Sequence, residues 1–212
     1  MADSFVRRLG GVYLAIWMLL AIAPSERSTW LLENLLVVGL VGLLYGIRRR
    51  FVFSNLSCLL IFLFLVLHAV GAHSTYSLAF PGFWLRDAFG LERNPYDRIV
   101  HFAFGLLFAY PLRELSLRVL HVHRAWSYVV PVLALLALSS GYEILESWAA
   151  RVVQPEIGLA FVGAQGDVWD GQKDMSLAFA GALLATAATA AYRRKVDHEP
   201  YQRLLGQARP AR

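Results

Sequence analysis

The sequence predicts an all-α fold, a bundle of about six transmembrane helices. Three observations carry that expectation. Apolar residues make up 58% of the 212-residue chain and charged residues only 17%, against about a quarter charged in soluble domains. Mean hydropathy is +0.51. The apolar residues gather into runs of the length needed to cross a hydrocarbon core about 30 Å thick. Between the runs stand short basic clusters: Arg7-Arg8, Arg48-Arg49-Arg50, Arg113/Arg118/Arg124 and Arg193-Arg194-Lys195. That is the distribution by which membrane proteins fix their orientation.

Six runs can be read in order, at 9–23, 30–47, 51–70, 98–120, 126–150 and 171–192. The first is short and led by arginines, as a signal peptide would be. It lacks a small-x-small cleavage site followed by a polar domain, so a retained helix is expected. Trp17, Trp30, Trp84, Trp126 and Trp148 fall mostly near run ends, where indole rings favour the interface. Between the third and fourth runs, Pro81-Gly82-Phe83-Trp84-Leu85-Arg86-Asp87-Ala88-Phe89 reads as a short aromatic helix on the membrane surface. Residues 151–170 hold Pro155, Gly158, Gly163 and Gly166 and are expected to form a structured loop. Residues 1–195 are expected to be a single transmembrane helical domain. Residues 196–212, with Pro200, Gly206 and Pro210, read as a disordered cytoplasmic tail.

Charge orients the bundle. With the N-terminus inside, the inner segments hold 14 of the 20 Lys+Arg and only four of the 15 acids, Asp3, Glu114, Asp197 and Glu199. Both ends are therefore expected in the cytoplasm. The pI near 9.6 comes from these clusters. No basic face interleaved with aromatics is present, so no nucleic-acid partner is expected and membrane lipid is. The single cysteine, Cys58, excludes a disulfide framework and a cysteine-based metal site within one chain.

Ionisable groups inside apolar spans are costly, and each needs an account. Asp174 lies 19 residues before Arg193 and Glu143 lies 19 after Arg124, about 28 Å from the inner edge in each case. His101 and His68 fall at about 25 and 27 Å by the same measure. A second layer, one turn further out, holds Asp97, Glu146 and Asp170, with Asp167 beyond. Asp97 and His101 are spaced i,i+4, Glu143 and Glu146 i,i+3, and Asp167, Asp170 and Asp174 by three and four, so each set shares a helix face. Six carboxylates in one crevice cannot all stay ionised without protons, a cation, or pairing to Arg98, Arg151 or Lys173. The plainer reading is that such residues sit in water or snorkel to the headgroups. Glu33 and His68 read as structural hydrogen-bonding residues, and Glu114 beside Arg113 as a surface ion pair.

Ser139-Ser140-Gly141 is no nucleophile elbow, Gly163-x-x-Gly166 lacks the Lys-Ser/Thr of a phosphate loop, and no HExxH occurs. An oxygen-rich set with one or two imidazoles suits a hard or borderline divalent ion, or a proton relay. The candidate metal ligands are Asp97, His101, Glu143, Glu146, Asp167, Asp170 and Asp174. The candidate catalytic residues are His101, Glu143, Glu146, Asp170 and Asp174, with His101 or Glu146 as general base.

The same residues carry a resemblance. The stretches are Tyr96-Asp97-Arg98-Ile99-Val100-His101-Phe102-x-x-Gly105, then Arg113-Glu114, then Tyr142-Glu143-Ile144-Leu145-Glu146-x-Trp148. The last is Phe161-x-Gly163-x-Gln165-Gly166-Asp167-x-Trp169-Asp170-x-x-x-Asp174-Met175. Over roughly residues 30–192 the chain resembles the YjdF-type family of bacterial inner-membrane proteins, which implies the inner membrane as its location. Ser147-Trp148 stands where that family usually has two aromatics. The order Asp97-Arg98-x-x-His101, Glu143, Asp170-x-x-x-Asp174 and Gly181 is also distantly similar to VanZ-like membrane proteins, with Asp174 in place of their Asn. VanZ-like proteins are associated with glycopeptide resistance, and that chemistry does not carry over on a likeness of order.

Three functions fit these residues. One is an enzyme at the outer leaflet in which a divalent ion acts on a lipid-linked or phosphorylated substrate. The second is a cation or proton transporter using the same acids, against which the inner half of every span is nearly free of polar groups. The third is a non-catalytic membrane protein whose site binds a ligand or stabilises the bundle.

Overall fold

A computed structural model describes residues 2–49, 51–153 and 155–195, all helix and connecting turn with no strand among them; the expected tail at 196–212 lies outside these residues. Six long helices correspond to the six apolar runs: α1 Ala2–Leu20, α2 Arg27–Ile47, α3 Asn55–His73, α5 Tyr96–Arg118, α6 Trp126–Val152 and α8 Asp170–Lys195. Two short ones, α4 Phe80–Phe89 and α7 Pro155–Val162, lie in the connections. By length and composition alone, α2, α3, α6 and α8 are apolar enough to cross a membrane. α1 and α5 carry charges near their ends. At about 1.5 Å per residue the 23-residue α5 still reaches about 34 Å, and its middle turns, 99–112, hold no Asp, Glu, Lys or Arg.

Local chemistry sets the boundaries. α3 starts at Asn55, later than the apolar run, because Ser54 caps it, accepting from Ser57 N at 3.3 Å. Phe51 and Phe53, ahead of the cap, pack edge to face at 4.7 Å. Glu26 caps α2 by accepting from Ser28 N at 3.0 Å and from Thr29 N. The segment expected as a loop at 151–170 contains helix α7. Pro155 occupies its first position, where the missing N–H costs nothing, and from Ile157 on every residue but Gly158 is apolar. α7 folds back on α6 so closely that a Cβ on Gly158 would lie 2.6 Å from the Ala150 carbonyl oxygen.

α5 is the central helix, flanked by α3, α6 and α8. Its closest neighbour is α8. A side chain on Gly105 would run into the Ala178 carbonyl, and one on Gly181 into the Phe102 carbonyl, so the two backbones touch. Small residues make such seams in membranes, where apolar surface alone gives helices no reason to associate. Beside the seam lies a core of Val37, Ile61, Leu65, Phe108, Ala109, Val132, Leu135 and Ala182.

Glu114 corrects one expectation. It is 2% exposed, not at the surface, and it pairs with Arg118 one turn further along the helix. Its carboxylate accepts from Ser54 N at 2.9 Å, Ser54 Oγ at 2.8 Å and Ser57 Oγ at 2.5 Å, fastening α5 to the start of α3. Arg113 stacks on Tyr128 at 4.3 Å.

Candidate functional site

The α5–α8 seam sets the site, because it carries Asp97 and His101 on one helix to the level of Asp170 and Asp174 on the other. One donor atom each from Asp97, His101 and Asp174 lies within 4.8 Å of the other two. From α6, Glu143 Oε1 stands 3.6 Å from His101 Nε2, the same distance as Asp97 Oδ1. These gaps are too long for direct hydrogen bonds. They fall within the span of two ligands on one ion, since bonds of about 2.0–2.4 Å leave donors about 3 Å apart in cis and at most about 4.8 Å in trans. Asp174 is 2% exposed, and its Oδ1, like Glu143 Oε1, has no hydrogen-bond partner. Glu143 rests against Gly171, where a Cβ would come 2.7 Å from Oε2.

Asp167 and Asp170 stand outside this group, in a layer of ion pairs. Arg93 bonds to Asp170, and Arg98 and Lys173 reach Asp167 Oδ2 at 2.5 and 2.6 Å. Arg93 also donates to the carbonyls of Ala164 and Gly163. The Lys173 ammonium, with the Trp169 N–H, holds the Asp167 carboxyl down at about 2. It stays ionised until pH falls through that value.

Glu146 is buried beside Tyr142, with Glu33, Asp97 and Glu143 as its electrostatic neighbours. The Tyr142 hydroxyl donates to Glu33 Oε2 at 3.1 Å. His68 leaves the cluster altogether. Its Nδ1 faces the Tyr76 hydroxyl at 2.6 Å and its Nε2 the Glu33 carbonyl at 3.2 Å, a structural role.

Two contributors, Arg93 and Asn94, were not singled out from the sequence, and a third, Gln165, stood there only as a motif member. Arg93 takes the pairing role considered for Arg151, which stands exposed at the end of α6. Asn94 is 1% exposed, caps Tyr96 N at 3.0 Å and donates to the Ala79 carbonyl. Gln165 clasps the Asn94 backbone from both sides, accepting from its N–H at 3.0 Å and donating to its carbonyl at 3.1 Å. Gly163 and Gly166, both at positive φ, turn the chain so that this clasp can form. The Arg-Asn-Pro ahead of α5 was the available signal, but its partners lie some 70 residues away.

Fold and site together define a polytopic helical membrane protein with a carboxylate–imidazole cluster near one end of its bundle. The chain belongs to the family described as "Predicted membrane protein (DUF2238)", whose model matches residues 5–195. It is similar to the Inner membrane protein YjdF of Escherichia coli (strain K12), 38% identical over 164 residues, which cover 76% of this chain and 78% of that protein. No solved structure matches. The chain is thus a multi-pass protein of the inner membrane. The VanZ-like resemblance gains no support from these matches.

Proposed function

We propose that this protein binds a divalent cation through Asp97, His101, Glu143 and Asp174, at a site facing away from the cytoplasm. The bound ion would serve metal-assisted chemistry on a lipid-linked or phosphorylated substrate. The observation that carries the reading is the convergence of donors from three helices with the Asp174 and Glu143 oxygens unpartnered. Buried carboxylates without hydrogen bonds are expensive unless a cation or proton compensates them. Three oxygens and one imidazole suit a hard or borderline ion. Such an ion polarises a phosphoryl or carbonyl oxygen, or lowers the pKa of bound water. With His101 as a ligand, Glu146 is the carboxylate left to accept a proton. The basic clusters at the opposite end support the outward orientation. Phe108, Val132, Leu135 and Ala182 form an apolar floor, which disfavours a path through the bundle.

The test is thermal stability of the detergent-solubilised protein against Mg²⁺, Mn²⁺ or Zn²⁺. At an ion concentration a hundred times Kd the wild type gains about 2.7 kcal/mol, a rise of a few degrees in apparent Tm. Asp174→Asn loses that response. Identical, ion-independent curves for both proteins would leave the cluster a structural one.

A further inference from the structure

We propose that the rim of this site takes the phosphate group of an anionic membrane lipid arriving sideways from the bilayer, held by Arg98 and Lys173 and flanked by Val168 and Trp169. The inference rests on the reading above and names the class of substrate. Charge comes first. Arg93 is committed to Asp170 and to two backbone carbonyls, whereas Arg98 and Lys173 share a single oxygen, Oδ2 of Asp167. Arg98 also stands 3.7 Å from Asp170 Oδ1, so in this layer three cations, Arg93, Arg98 and Lys173, share two carboxylates, Asp167 and Asp170, which leaves a unit of positive charge at the rim. Lys173 is 49% exposed and Arg98 is half-buried, so both keep N–H groups to offer. A guanidinium and an ammonium side by side are matched to the oxygens of a phosphate.

The surroundings select a lipid over a soluble phosphate. Val168 and Trp169, between Asp167 and Asp170 in the chain, are 85% and 62% exposed. The Asp167 carboxylate accepts from Trp169 N at 3.1 Å, which holds the turn while both apolar side chains face outward. Trp148 and Val152, near the same end of α6, are exposed as well. Indole and aliphatic groups level with paired charges fit the headgroup layer of a bilayer, where rings and ions can both be satisfied. A phosphate anchored in that layer meets Arg98 and Lys173 with its acyl chains still in lipid.

The experiment titrates the full-length protein, in neutral detergent, with dioleoylphosphatidic acid, with dioleoylphosphatidylcholine and with inorganic phosphate, reading thermal stability. The expected result is that phosphatidic acid stabilises at a concentration at least about tenfold lower than either other probe. Lys173→Gln should raise its half-saturating concentration about tenfold. Trp169→Ala should weaken the lipid response without changing that to inorganic phosphate. Inorganic phosphate acting at the same concentration as the lipid would overturn the proposal, and so would a lipid response unchanged in both Lys173→Gln and Arg98→Gln. Each titration is run with chelator and with Mn²⁺. A Lys173-dependent lipid response in a protein indifferent to Mn²⁺ would uphold the rim and remove the metal. A Mn²⁺ response with no lipid preference would do the reverse.

Discussion

Asp174 and Glu114 are both 2% exposed, yet their oxygens meet different company. Glu114 receives two serine hydroxyls, a backbone N–H and Arg118. Asp174 keeps an oxygen with no donor. Glu114→Gln should therefore cost about 1–3 kcal/mol, because the new amide turns a donor toward groups that are themselves donors. A fall of several degrees in apparent Tm without loss of any ion response would confirm that division. Asn94→Ala should cost about 1 kcal/mol or more, since it strands the buried Tyr96 N–H, while the Ala79 carbonyl keeps the Gly82 and Phe83 N–H groups. Sequence spacing placed His101, Glu143 and Asp174 at nearly one depth, with Asp97 one turn further out, because helical rise is regular. It could not show that Glu114 docks on α3, since that partner lies 60 residues away and depends on where Ser54 caps.

At the scale of elements, the α5–α8 seam holds the site together. Gly105→Ala would push a methyl group into the Ala178 carbonyl, so the helices must part or shift. The expected cost is about 1–3 kcal/mol, with a weaker ion response because Asp97 and His101 would move relative to Asp174. Gly42→Ala on α2 is the control: a Cβ there meets nothing within 4 Å, and stability should change by less than about 0.5 kcal/mol. Thermal melts with and without the ion read both effects. Gly105 and Gly181 stood in the sequence as motif members, but that they face each other is a property of helix pairing, which periodicity does not reveal. α7 was legible as apolar residues and turn signals, not as a helix, because eight residues are too few to show a period.

For the whole molecule, six apolar runs became six long helices, and the charge asymmetry gives the orientation to be tested. With Cys58 replaced by serine, single cysteines at the exposed positions Phe89 and Val168 should react with an impermeant thiol reagent in spheroplasts, and one at Leu120 only after permeabilisation. Reaction of the Leu120 position in sealed cells would invert the bundle. The layout also bears on which ions could be admitted. Asp97, His101 and Asp174 ride on two helices in backbone contact, and Gln165 locks the entry of α5 to the turn before α8. Their mutual distances are therefore stiff, like the fixed jaw of a calliper. Glu143 comes from a separate helix and acts as the moving jaw. Metal–oxygen bonds lengthen from about 2.1 Å for magnesium to about 2.4 Å for calcium, so discrimination by size would be set by how far α6 can yield.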